Sequence, residues 1–178
     1  MVEIKHKNDC APKVLNPEVL KPQPTFEMVD IKIAKNGLLT WTTTNEQEPI
    51  PYVVEQFRWN KWVKVGEVNG KGLKKTNTYS FQPVLNSGEN KFRIKQVGFQ
   101  GVEKRSEIVS LKTDIKPLGH SVNKEKSIVS FSDKTLFEIY DAYGSIIEYG
   151  YGDSLNINNL SKGFYYLCYD NTVVDFTK

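Results

Sequence analysis

From Phe26 onward, apolar side chains recur at every second position in short runs, and each run stops at Gly, Pro, Asn, Asp or Ser. Period two is the spacing of a strand with one buried face. A surface helix instead needs apolar residues three and four apart. No stretch offers that helical spacing, so the chain reads as all-β, with strands punctuated by turns.

In the first half, Val29, Ile31 and Ile33 alternate, and Asn36-Gly37 supplies a hairpin turn into Leu39, Trp41 and Thr43. After the polar loop 45–51 come Tyr52–Trp59 and Trp62–Val68, joined at Asn60-Lys61, which reads as a tight turn. Residues 78–84, 91–97 and 106–111 complete seven strands, the pattern of an immunoglobulin-like sandwich over 26–112. Residues 1–25 carry Pro12, Pro17, Pro22 and Pro24 and read as an extended leader, because proline lacks the backbone donor.

Residues 113–124, with Pro117, Gly119 and Asn123, read as a linker. Beyond it, strands are expected at 127–131, 135–141, 145–149, 155–158, 164–169 and 173–177, with Ser132-Asp133 and Gly150–Asp153 among the turns. Phe164, Tyr166 and Cys168 alternate with Tyr165, Leu167 and Tyr169, which fits a central strand covered on both faces. The expected architecture is two tandem β-sandwich domains, 26–112 and 125–178. The charge divides near the same place: residues 1–116 carry 19 Lys and Arg against 13 Asp and Glu, and residues 117–178 carry 5 against 8. Two surfaces of opposite sign suit two docking faces, while the basic excess is too mild for nucleic acid.

The first unit resembles a fibronectin type III-like module of secreted Bacteroidetes proteins. The likeness rests on Leu39-Thr40-Trp41-Thr42-Thr43, Tyr52–Gln56, Trp62–Val68, Tyr79-Ser80-Phe81 and Asn90–Val97. It implies that Trp41 anchors the core and that Phe92 stands where related modules carry a corner tyrosine. The second unit resembles the C-terminal sorting domain of type IX secretion cargo, through Phe137–Gly144, Leu160–Leu167 and the final Val174–Lys178. Ser145 and a single terminal lysine depart from that family's basic positions. The resemblance implies a periplasmic, outer-membrane-associated or surface location, and outer-membrane translocon proteins as partners. Met1–Lys7 has no apolar core, so a cytoplasmic chain and a mature chain whose leader was removed both remain open.

Catalysis finds little support. His6 and His120 fall in the leader and linker, and no serine elbow, metalloprotease, phosphate-loop or dinucleotide motif occurs, so no enzyme activity and no cofactor or metal is expected. Cys10 and Cys168 form no metal-binding pair; a disulfide between them stays open, and Cys168 reads as a small buried hydrophobe. Glu46 and Glu48 read as solvated loop carboxylates, and Asp141 and Asp153 as turn formers. No apolar run approaches the roughly 20 residues of a membrane-spanning helix.

The candidate interface residues are Tyr140, Tyr143, Tyr149 and Tyr151 around one hairpin, with Trp59 and Trp62 in the first unit. The two tryptophans, flanked by lysines, could stack on a glycan. Alternatively they pack in the sandwich while the lysines guard a strand edge, and period two favours that arrangement. Gly144 and Gly163 are expected to end tight turns that admit no side chain. The function these features favour is protein–protein contact within the type IX secretion route, as a translocon accessory or a small exported cargo. The alternative is a surface adhesin binding glycan.

Overall fold

The computed structural model describes residues 21–178. The expectations for Cys10 and for most of the leader lie outside the described residues. The described residues are all-β: they form thirteen strands and a 3-10 turn at Phe99–Gly101.

The first unit places β1 (Glu27–Ile33), β2 (Leu39–Thr44) and β5 (Asn77–Phe81) in one sheet. The facing sheet runs β4 (Lys61–Val68), β3 (Tyr52–Arg58), β6 (Gly88–Val97), with β7 (Glu103–Arg105) and β8 (Val109–Thr113) sharing the far side of β6. This three-plus-four arrangement is the strand order of a fibronectin type III-like sandwich. The last strand is broken at Ser106, whose N–H and hydroxyl bridge to the main chain of Ile94 instead of extending the ladder. Between the sheets, Phe26, Leu39, Trp41, Tyr52, Val54, Tyr79, Phe92 and Ile94 form a closed core. Trp41 stacks on Tyr79 at 5.5 Å and meets the edge of Tyr52 at 5.6 Å, as its anchoring position implied.

The β3–β4 turn lies one residue earlier than the sequence suggested. Arg58 pairs with Lys61, so Trp59 and Asn60 are the central residues, both left-handed at φ 48° and 63°. A two-residue hairpin with both φ positive matches strand twist, but a tryptophan there is strained and must be held from outside the turn.

The second unit differs from the sequence reading in a specific way. The strands expected at 127–131 and 135–141 are one strand, β10 (Ile128–Asp141), and those at 145–149 and 155–158 merge into β11 (Ile146–Asn156). Ser132-Asp133 and Gly150–Asp153 are therefore bends and not chain reversals. The pairing jumps from Ser130↔Ser154 to Thr135↔Gly152, so β10 takes the longer path around a corner. The single sheet β11-β10-β12-β13, with β12 (Phe164–Tyr169), β13 (Thr172–Thr177) and β9 (His120–Asn123) alongside β10, folds over itself there into a sandwich. β9 comes from the segment read as linker, and Gly119 and Ser132 exchange hydrogen bonds across the corner. Val129 and Phe131 from one arm pack on Phe137, Ile139, Leu167, Tyr169 and Phe176 from the other. No helix among the described residues is long and apolar enough to cross a membrane.

Candidate functional site

Register assigns the outer face of this second sheet. Directly opposed residues share a face, so Tyr149, Glu138, Cys168 and Val173 form one row, and Ile146, Tyr140, Tyr166 and Asp175 the next. Leu136 with Tyr151 forms a third. Phe164 lies beside Tyr166 on the same face, their rings 5.1 Å apart edge to face. The face thus carries eight large apolar or aromatic side chains where a free sheet surface would carry mostly charges.

The first unit covers part of it. Lys61, at the start of β4, places its ammonium 2.6 Å from both the Glu138 carboxylate and the Tyr140 hydroxyl. Burial would lower the Lys61 pKa, but the bonds to Glu138 and Tyr140 outweigh it and raise the value. Cys168 sits beneath this contact, 4% exposed, and burial pushes its thiol up to about 11. The sequence reading of Cys168 as a small buried hydrophobe holds.

The second anchor is the β12–β13 turn. Asp170 is buried at φ 46° and faces the first unit through almost every polar atom it has. Its carboxylate accepts the Ser87 N–H at 2.9 Å, the Ser87 hydroxyl at 2.6 Å and the Leu118 N–H at 3.2 Å. Its carbonyl accepts the Trp59 indole N–H at 3.1 Å, and its own N–H donates to Thr135. Asn171 donates to the carbonyls of Ser87 and Glu89. Beside it Arg58 is buried, its guanidinium lowered to about 10 by burial against the opposing pull of Asp170 and Glu138. Arg58 Nε donates to Gln56, which in turn donates to Asn90.

A third polar cluster lies inside the first unit. Glu46, expected in solvent, is buried. It accepts from the Thr43 hydroxyl, from Tyr52 at 3.0 Å, from Tyr79 at 2.7 Å, and from the N–H groups of Lys71 and Gly72. Burial alone would raise the carboxyl's pKa, but the bonds from Thr43, Tyr79, Tyr52 and Gly72 hold it below the usual value. The role is architectural: it ties the loop 45–51 and the 69–75 segment to the aromatic core.

The candidate residues therefore separate. Tyr143, Tyr149 and Tyr151 are exposed at 94%, 75% and 58%, while Tyr140 is half-buried and engaged by Lys61. Trp59 is committed to the contact between the two units. Trp62 is half-buried, with the Arg93 guanidinium 4.1 Å over its ring and Phe57 edge-on at 5.3 Å, so neither indole is presented freely for stacking. Gly144 has φ 83° and closes the turn in which Asp141 caps the N–H groups of Tyr143 and Ser145. Gly163 departs from the expectation: its φ is not left-handed, and an added Cβ would meet Tyr165 no closer than 3.7 Å. The strand Phe164–Tyr169 is central, yet its outer face is covered only at Cys168, leaving Phe164 and Tyr166 exposed. Sequence reasoning missed Asp170, Ser87, Lys61 and Glu46. Asp170-Asn171 is legible as a turn, but nothing local signals what it docks against.

Among the described residues, no group of three or more His, Cys, Asp or Glu side chains could hold a metal. No family model matches the chain, and no curated protein matches it. Among solved structures it is similar to the FN1-FN3 domains of chicken CNTN1, at 12% identity and TM-score 0.28 over 87% of this chain and 65% of that one. It is also similar to extracellular domains 3-5 of Drosophila OTK, at 12% identity and TM-score 0.31 over 88% of this chain and 64% of that one. The chain thus spans just under two thirds of each.

Proposed function

We propose that this chain is a non-enzymatic cell-envelope protein of the type IX secretion route, acting by protein–protein contacts as an accessory of the outer-membrane translocon. The observation that carries the contact reading is the tyrosine-rich β10–β11 hairpin, where Tyr143, Tyr149 and Tyr151 stand exposed with Ile146 and Ile147. A contiguous apolar patch on a folded unit marks an interaction site, and tyrosine is the residue type that interfaces favour. The accessory role, rather than cargo, is supported by the Asp170 anchor, because a transferable sorting handle works as an independent unit and this one is hydrogen-bonded to its neighbour. The secretion route itself rests on the resemblance of Phe137–Gly144 and Leu160–Leu167 to sorting domains.

The test is affinity purification of the tagged full chain from envelope membranes of a Bacteroidetes host. Stoichiometric co-purification of translocon subunits is the expected result. Recovery of the chain at the cell surface or in the medium, free of translocon, would make it cargo. Retention in the cytoplasm would remove the secretion reading altogether.

A further inference from the structure

The longest edge strand of the second unit is β11, with 11 residues paired to β10 on one side and to no strand among the described residues on the other. Every second residue therefore directs an N–H and a C=O outward, a ready template for another strand. Natural edges are normally blunted. The β4 edge carries Lys61, Lys64 and Glu67, but β11 has no lysine and no proline, and shows Ile146, Ile147, Tyr149 and Tyr151 to solvent.

The same edge leads into a cavity of about 440 Å³ between the two units. Tyr151 and Leu136 from the outer face line it, with Val65 and Leu85 from the first unit and Ile115 and Leu118 from the connecting segment. Arg58, Asp133, Lys134 and Asp170 give it a charged rim of balanced sign. Glu148 and Asp153 are exposed along β11, and neither has an ion-pair partner among the described residues.

We infer that β11 captures an extended segment of a partner polypeptide by strand addition. Residues of that segment opposite Tyr149 and Tyr151 lie on the outer face, so these alternate positions are apolar, with one side chain seated in the cavity. Lysine or arginine at the position opposite Glu148 meets its charge, and one just beyond the apolar pair meets Asp153. A second copy of this chain fits less well, because two paired β11 strands would gather both copies of Glu148 and Asp153 in one ribbon without a counter-charge. The inference rests on the protein-contact reading but not on the secretion route, so peptide capture without translocon co-purification would separate the two.

The full chain is panned against a phage-displayed library of random dodecapeptides. Enriched peptides should alternate apolar or aromatic residues with Lys or Arg. The best one, added as free peptide, should slow amide exchange across 146–154 and leave 172–177 unchanged. The double variant Tyr149→Lys/Tyr151→Lys should weaken binding at least tenfold at an unchanged melting temperature, while Val173→Lys on the opposite edge should not. If the double variant fails to fold, the exchange map on the unaltered chain decides alone. Absence of enrichment, enrichment without alternation, protection away from β11, or a dimer in analytical ultracentrifugation that Tyr149→Lys dissolves would each overturn the proposal.

Discussion

Trp59 donates its indole N–H to the carbonyl of Asp170, a bond that joins the tip of the β3–β4 hairpin to the tip of the β12–β13 hairpin. Both residues are left-handed, at φ 48° and 46°, so two strained turns are locked against each other. Strain of this kind persists only where surrounding contacts over-determine it.

Removing the Asp170 carboxylate should uncouple the two units. Asp170→Ala leaves the Ser87 and Leu118 N–H groups without an acceptor, at about 1–3 kcal/mol for the buried Ser87 N–H and less for the partly buried Leu118. Differential scanning calorimetry is expected to resolve one transition into two. A single unshifted transition would show that the units are held by other contacts.

The buried thiol reports the same interface. With Cys10 replaced by serine, Cys168 should react with a thiol reagent at pH 8 about a hundredfold more slowly than a free cysteine, since a pKa near 11 leaves little thiolate. Trp59→Ala should speed that reaction without unfolding the chain, by loosening the hairpin near Cys168. Equal rates in both proteins would mean that the hairpin does not seal it.

Glu46 sets an acid limit. Its folded-state pKa is held below the unfolded value, so its contribution is fully present above about pH 4.5 and is lost as pH falls through the folded value. Urea midpoints should drop between pH 7 and pH 3.5, and Glu46→Gln should flatten that dependence. Glu46→Ala, which also strips Tyr79 of its acceptor and leaves Tyr52 only the 3.4 Å bond to Thr43, should cost about 3–5 kcal/mol at pH 7. Tyr52 and Tyr79 have the opposite sign. Burial raises both, so their contribution holds below the ordinary tyrosine value and is lost as pH rises through the folded ones.

Glycine substitutions should sort by space. A Cβ on Gly150 would stand 2.7 Å from the Phe137 ring and one on Gly66 2.1 Å from Phe81, so Gly150→Ala and Gly66→Ala should lower the melting temperature by several degrees. Gly163→Ala should shift it by less than about 2 °C.

Tyr143→Ala and Tyr151→Ala should fold as the parent does, because both side chains are mostly in solvent. Co-purification of the envelope partner is expected to fall with each. Undiminished co-purification would move the contact surface off this face.

Much of this was legible in the chain. Alternation marked most strand positions, Asn36-Gly37 and Gly144 the turns, and Asp141 its place in one of them, because each depends on backbone geometry within a few residues. The merged strands β10 and β11 were not legible, since a bend and a turn draw on the same residues, Ser, Asp and Gly. Their difference lies in whether the chain beyond pairs back on itself, as the register jump from Ser130 to Thr135 shows.

The amino-acid sequence by itself determined the all-β character, the two alternating units and the Asn36-Gly37 and Gly144 turns, all consequences of period and local turn chemistry. Tertiary structure alone decided which polar groups are buried. Glu46 meets Tyr79 across 33 residues and Asp170 meets Ser87 across 83, and no local pattern encodes a partner so distant. It also decided which tyrosines remain free: Tyr140 and Tyr149 both sit on the outer face of one hairpin, but Lys61 from the other unit reaches only Tyr140.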